Sequence, residues 1–264
     1  MNKILSNKLL NSFQKIYTFS NIRKFLQKKN KKNSSIKCFF TDDKKLIKEA
    51  KLLRYKIFTH SYGLKNNQKI DEDYFDNYCK HLVAVDEKNR VVGTYRLITR
   101  ETQKRCGILY SDQEFDLVRL AKIKNNILEI GRVCIADDFK DKWVISNLWK
   151  LIHKYAIVNN YHHICGVTSV NLNVSDVSLL YKSLVERNHL APIEYQVRPR
   201  VPYPIVENIP SQPGVMIPKL LKAYLKMGAW VCGEPYWDRD FSSADFFTLI
   251  SIKNLSERYK SRLS

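Results

Sequence analysis

Two charged residues stand inside an apolar run, Leu128-Glu129-Ile130-Gly131-Arg132-Val133-Cys134, that otherwise has the composition of a buried strand. Taking a carboxylate and a guanidinium out of water is costly unless each is paired or put to use. Single charges in apolar context recur upstream in Arg54-x-x-x-Phe58, in Asp71-Glu72-Asp73-Tyr74-Phe75-Asp76, and in Gly93-Thr94-Tyr95-Arg96-Leu97. Taken singly, each charge reads as a structural ion pair. Taken together, Arg54, Asp71, Asp73, Asp76, Arg96, Glu129 and Arg132 imply one charged site. In a regular strand Glu129 and Gly131 face one way and Ile130 and Arg132 the other, an arrangement that a bulge would change.

The elements that must position these residues follow from periodicity. A helical pattern begins near Thr41 and runs through Leu46, Ile47, Ala50, Leu53, Ile57 and Phe58. His81 to Val85 and Val91 to Ile98 predict two strands joined by the polar turn Asp86 to Arg90, a hairpin. Ile127 to Ile135 is a third strand; a helix over about 144–158 and a strand over 161–170 follow. A helix from Val177 to Arg187 precedes an extended, Pro-rich stretch, 192–213, expected to hold a strand and a loop. Pro218 opens a helix over Lys219 to Met227, with Gly228 just past its end. Trp230 to Tyr236 and Phe246 to Ile252 are the expected last strands. This mixture predicts an α/β (α+β) layered fold, a mixed central sheet flanked by helices.

The 264 residues, 44% hydrophobic, can bury a sizeable core. The net charge of +19 is unevenly spread: residues 1–41 contain no Asp or Glu and carry ten Lys or Arg. Leu5, Leu9, Phe13, Ile16 and Tyr17 recur there at helical spacing. Residues 1–40 are therefore expected to form a basic segment, either an amphipathic helix on an anionic membrane surface or a disordered tail, and residues 41–264 the folded domain. No run approaches a bilayer span, and no cleavable signal pattern is evident. A cytoplasmic protein, peripheral on the inner membrane, is expected; an acid-free Lys-rich leader also fits organelle targeting. Abundant Lys, Asn and Ile fit an AT-rich genome, so charge alone is a weak pointer to nucleic acid, which is not an expected partner.

Several chemistries lack their motifs. No G-x-G or G-x-x-x-x-G-K-[ST] occurs, which leaves dinucleotide and P-loop readings unsupported. No G-x-S-x-G or H-E-x-x-H is present. The six cysteines have neither C-x-x-C nor zinc-ligand spacing, so reduced thiols and no metal are expected. His162 and His163 are adjacent in a strand and point to opposite faces, which suits structural roles.

From Arg54 to about Ile252 the chain resembles the ornithine N-acyltransferases, a branch of the GNAT-like acyltransferases. The resemblance is carried by Arg54-Tyr55-x-x-Phe58, Asp71-Glu72-Asp73-x-Phe75-Asp76-x-Tyr78-Cys79-x-His81-Leu82 and Val92-Gly93-Thr94-Tyr95-Arg96-Leu97. It continues in order through Tyr110-Ser111-x-x-Glu114-Phe115, Leu128-Glu129-Ile130-Gly131-Arg132 and Leu221-Lys222-x-Tyr224-Leu225-x-x-Gly228-Ala229-Trp230. The charged pattern is also similar to that of acyl-homoserine-lactone synthases. The resemblance implies transfer of a (3-hydroxy)fatty acyl group from acyl carrier protein to the α-amine of ornithine, with no cofactor and with acyl-CoA the less expected donor. It implies catalytic roles for Glu129, as general base, and Arg132, which would fix Glu129's surroundings or grip the acceptor carboxylate. Asp71, Asp73 and Asp76 would hold the acceptor's cationic groups, Arg54 and Arg96 would order that acidic loop, and His81 is a further candidate for substrate binding. Direct transfer is preferred to an acyl-enzyme on Cys134, because no histidine is placed to activate that thiol.

One region departs from the wider GNAT pattern. Asp137-Asp138-Phe139-Lys140-Asp141-Lys142-Trp143 stands where a Gly-rich turn usually cradles the pyrophosphate of coenzyme A. Its three aspartates repel phosphate, in keeping with a carrier-protein donor whose pantetheine arm has a single phosphate. Lys140, Lys142, Lys150 and Lys154 are candidates to steer an acidic carrier protein. Rival readings are the same chemistry on glycine or in acyl-homoserine-lactone synthesis, and a noncatalytic membrane- or nucleic-acid-binding protein that keeps the fold.

Overall fold

A computed structural model describes residues 36–63, 69–139, 142–207, 209–210, 212 and 214–255. The expected basic segment lies almost wholly outside the described residues, as do Lys140 and the side chain of Lys142. Five helices are described: α1 (Lys44–Tyr62), α2 (Arg100–Cys106), α3 (Lys142–Val158), α4 (Val177–Glu186) and α5 (Lys219–Met227). The strands are β1 (Lys37–Thr41), β2 (Lys80–Val85), β3 (Val91–Ile98), β4 (Phe115–Asp116), β5 (Ile127–Ile135), β6 (His163–Asn171), β7 (Arg198–Pro199), β8 (Trp230–Val231), β9 (Tyr236–Asp238) and β10 (Ser243–Ser251).

The main sheet runs β1-β2-β3-β5-β6-β10-β8, with β9 also on β10. Among the strand ladders of the described residues only β5–β6 is parallel, which makes the sheet mixed. Strand alternation sorts the core into two layers. Leu82, Ala84, Tyr95, Leu97, Leu128 and Ile130 face α3 through Leu148, Trp149 and Ile152. Further along the same face, Val170, Ala244 and Phe246 meet Leu180 and Leu184 of α4 and Leu221 of α5. On the other face Val83, Val85 and Val91 meet Ala50, Leu46 and Leu53 of α1, and Ile98, Ile127, Cys165, Phe247 and Leu249 pack under loops bearing Phe75, Leu109 and Phe115.

The sequence expectations hold for most elements, and beyond the unforeseen short strand β4, which pairs with β7, three differences matter. Residues 37–41 form β1 and pair fully with β2, so the folded unit starts upstream of Thr41. Trp230 to Tyr236 is not one strand: Gly233 at φ +119 turns the chain between β8 and β9, and a Cβ there would lie 2.8 Å from the Val197 carbonyl oxygen. The short helix α2 was not foreseen; Thr99 caps its start and Gly107, at φ +78, ends it.

Two irregularities shape the centre. Strands β5 and β6 pair only from Ile127↔His163 to Glu129↔Cys165, and the ladder then stops. In β5, Thr94↔Cys134 is followed by Arg96↔Gly131, so Tyr95 alone opposes Arg132 and Val133. Arg132 sits in that bulge at φ +51, a left-handed conformation uncommon for a non-glycine residue.

Candidate active site

The bulge resolves the geometry that plain alternation left open. Glu129, Gly131 and Arg96 share the α1 face by register, and the bulge turns Arg132 onto that face as well. The guanidinium carbons of Arg96 and Arg132 lie 5.3 and 4.9 Å from the centre of the Tyr110 ring, and that of Arg132 lies 5.9 Å from Phe58 on α1. Thus β3, β5, α1 and the turn at Tyr110 meet around one charged assembly.

Arg54, fully buried on α1, is the hub. Its Nε donates to Asp71 Oδ2, its Nη1 to Asp76 Oδ1 at 2.7 Å, and its Nη2 to Asp76 Oδ2 and the Asp71 carbonyl, both at 2.8 Å. Arg96 donates to Asp73 Oδ1 at 2.5 Å and to Asp76 Oδ2 at 3.3 Å. Arg132 donates from Nη2 to Asp73 Oδ2 at 3.0 Å, and its Nε lies 3.3 Å from Asp71 Oδ2. The acidic run folds into a 3-10 turn, Tyr74–Asn77, closed by its own aspartates: Asp73 accepts from the Phe75 N–H and Asp76 from the Asp73 N–H. Burial works against ionisation of Asp76, yet the hydrogen bonds and charge of Arg54, with Arg96 behind, hold its carboxyl well below the usual range.

Asp71, Asp73 and Asp76, expected to hold the acceptor's cationic groups, lie against three arginines of the protein itself. Arg54 and Arg96 do tie the acidic loop down. The fork of Arg132 is directed at Asp71 and Asp73 instead of standing open for a bidentate carboxylate. His81, 3% exposed, meets the Asp76 carbonyl through Nε2 at 3.0 Å, and burial lowers its pKa. It supports the acidic loop from β2.

Glu129 is 2% exposed and binds the start of the next turn. Its Oε2 accepts the Tyr110 N–H at 2.7 Å and its Oε1 the Ser111 N–H at 2.9 Å. Burial dominates these hydrogen bonds and raises its pKa to about 7. A group poised near neutrality can take or hold a proton, which is what base catalysis requires. Cys134 is buried and its thiol is pushed up to about 12, so a thiolate nucleophile there is disfavoured.

Beyond these residues, motif reading assigned no role to Tyr110, Ser111, Glu114, Asp238 and Asp245. The first three were visible as Tyr110-Ser111-x-x-Glu114. Asp245 gives the same signal that drew attention to Glu129: a carboxylate in an apolar strand, Ala244-Asp245-Phe246-Phe247.

Comparison with known proteins defines the class first. Residues 53–150, which span α1 to the middle of α3, match the acetyltransferase (GNAT) domain family. The fold is similar to that of FeeM, an N-acyl amino acid synthase from uncultured soil microbes, at 10% identity and a TM-score of 0.51, covering 86% of this chain and 94% of that one. The chain is an acyltransferase that carries a GNAT domain over residues 53–150. Its sequence is similar to those of the L-ornithine N(alpha)-acyltransferases. It is 28% identical to the one from Rhodobacter capsulatus over 83% of this chain and 90% of the relative, and 27% identical to the one from Brucella abortus over 85% and 87%.

Proposed function

We propose that the chain transfers a fatty acyl group, a 3-hydroxyacyl group in particular, from acyl carrier protein to the α-amine of ornithine, yielding lyso-ornithine lipid. The observation that carries this reading is the agreement, over four fifths of the chain, with enzymes named for that acyl acceptor. A buried carboxyl poised near pH 7 at the point where β5 and β6 part supports it.

In this mechanism the amine nitrogen attacks the thioester carbonyl carbon. The C–N bond forms, the C–S bond breaks, and the carrier leaves as a thiol. One proton shed by the ammonium passes to Glu129, directly or through a water, and a second, lost from the nitrogen of the tetrahedral adduct, goes to the departing sulfur. Each Glu129 oxygen accepts one backbone N–H and keeps a further lone pair. The edges of β5 and β6 beyond Glu129↔Cys165 lack their mutual ladder and suit an extended pantetheine arm. The 3-10 turn Asp137–Phe139, with Asp138 exposed, disfavours a pyrophosphate, which supports the carrier-protein donor over acyl-CoA. The lyso-lipid product is amphiphilic, which gives the basic residues 1–40 a purpose at an anionic, cytoplasmic membrane face.

Lipid mass spectrometry after expression in a bacterium without aminolipids tests the reading. N-acyl ornithine is the expected new species. Absence of any new acylated amino acid, with soluble enzyme and acyl carrier protein both present, would overturn it. Parallel assays of purified enzyme with acyl carrier protein and with acyl-CoA decide the donor.

A further inference from the structure

We propose that Glu114, Asp238 and Asp245 form the pocket for the acceptor's side-chain ammonium, a subsite separate from the arginine-bound aspartates. The proposal rests on ornithine, or another amino acid with a cationic side chain, being the acceptor.

The three carboxylates come from separate elements but share one face. Asp245 lies on β10 opposite Ser169 of β6 and Tyr236 of β9, and Asp238 lies opposite Ser243. Alternation puts Asp245, Asp238, Ser243 and Ser169 on the face that carries Glu129, beyond the point where the β5–β6 ladder ends. Glu114 follows the turn that Glu129 holds, and its charge acts on both Asp245 and Asp238. Arg132 faces the cluster from the β5 side and Tyr110 stands near Glu114. The end of α1 closes the top, where the Tyr62 hydroxyl donates to the Ser169 carbonyl at 3.2 Å.

A carboxylate cluster alone would mean little. What sets this one apart is that Glu114, 6% exposed, keeps Oε2 buried without a hydrogen-bond partner. Among the described residues, no lysine or arginine forms an ion pair with Glu114, Asp238 or Asp245. The contrast with Asp71, Asp73 and Asp76, each bound by arginine, is sharp. Asp245 takes a hydrogen bond from Ser243 Oγ at 2.8 Å but has no cation of its own. Burial, and the like charge of its neighbours, raises the pKa of Asp245 to about 6 and that of Glu114 well above the usual range. Such a group is stabilised either by taking up protons or by receiving a cation from outside. An alkylammonium supplies three donors and one positive charge, which suits several converging carboxylate oxygens. Bound there, it would place the α-amine of the same molecule toward Arg132 and Glu129.

The test compares ornithine with norvaline, which has the same carbon chain without the terminal amine, in purified wild type and in Glu114→Gln, Asp245→Asn and the less buried Asp238→Asn. Wild type is expected to favour ornithine strongly in kcat/KM. The variants are expected to lose that preference by about tenfold or more, chiefly through the KM for ornithine. Folding is checked by thermal melting, and Asp238→Asn provides the readout if the buried variants do not fold. If wild type acylates ornithine and every folded variant keeps the same ornithine-to-norvaline ratio, the subsite is refuted while the proposed function stands. If wild type acylates another diamino acid instead, and the variants lose its advantage over a neutral isostere, the subsite stands and the ornithine assignment falls. A wild type that prefers neutral amino acids refutes both.

Discussion

Replacing Glu129 with Gln separates the turn that it holds from the proton transfer proposed for it. Raising a carboxyl from its ordinary 4.5 to about 7 amounts to roughly 3 kcal/mol, at about 1.4 kcal/mol per pH unit. The sign follows from proton binding: the native state holds this proton more tightly than the unfolded chain. The carboxyl's contribution to stability is therefore full below about pH 4.5 and is lost as pH rises through about 7. The amide of Gln does not titrate, but its single oxygen can accept from only one of the Tyr110 and Ser111 N–H groups. Its NH2 then faces the other, a mismatch of about 1–3 kcal/mol. Denaturant titrations of both proteins from pH 4 to 8 should show wild type ahead at low pH and its lead shrinking by roughly 3 kcal/mol toward pH 8. Because Asp245 and Glu114 are common to both proteins, the difference curve isolates Glu129. In the same samples, turnover of wild type should rise with pH through about 7, and Glu129→Gln should lose about a hundredfold or more. A pH-independent stability difference would refute the burial argument, and near wild-type turnover at pH 8 in folded variant would end Glu129's role as base.

Other perturbations probe the scaffold. Asp76→Ala leaves the buried Arg54 guanidinium with Asp71 as its remaining partner and should cost up to about 3–5 kcal/mol by chemical denaturation. Because the pKa of Asp76 is depressed on folding, its contribution is present above the ordinary carboxyl range and lost as pH falls through the folded value, so wild type but not the variant should lose this increment on acidification. Cys134→Ala should retain turnover, since that thiol is buried and held near 12; loss of activity in a folded variant would favour an acyl-enzyme. Gly166→Ala would place a Cβ 2.5 Å from the Ile130 carbonyl oxygen, so it should cost about 1–3 kcal/mol and perturb the point where β5 and β6 part; an unchanged melting temperature would show that the strands yield freely.

The regular elements were legible because their patterns are local. The alternation in Val91–Ile98 and the apolar spacing in Lys219–Met227, with Gly228 after it, are written in neighbouring residues. β1 escaped because its five residues adjoin a basic segment that shares their Lys and apolar composition, and its strand character comes from pairing with β2, forty or more positions away. Membership of the charged site was also legible, since an arginine at Arg54 and a carboxylate at Glu129 in apolar surroundings must answer to something. The pairing was not. Arg54 and Arg96 reach the aspartates from α1 and β3, and the part played by Arg132 depends on the bulge in β5, a register feature at which Gly131 was the one local hint.

That bulge links the two charged clusters into one argument. With regular alternation Arg132 would point to the α3 side, into the layer of Tyr95 and Trp149, where a guanidinium has no carboxylate to meet. With the extra residue it joins Asp71 and Asp73, completes the neutralisation of the acidic turn, and still faces Glu114 and Asp245. The strained φ of +51 is thus sustained by buried ion pairs on one side. On the other side it leaves carboxylates that, among the described residues, form no ion pair of their own. A site neutral on its arginine-rich flank and unbalanced on the flank beside the β5–β6 gap is built to be completed by a cation, and an amino acid carrying both an α-amine and a second ammonium meets that need.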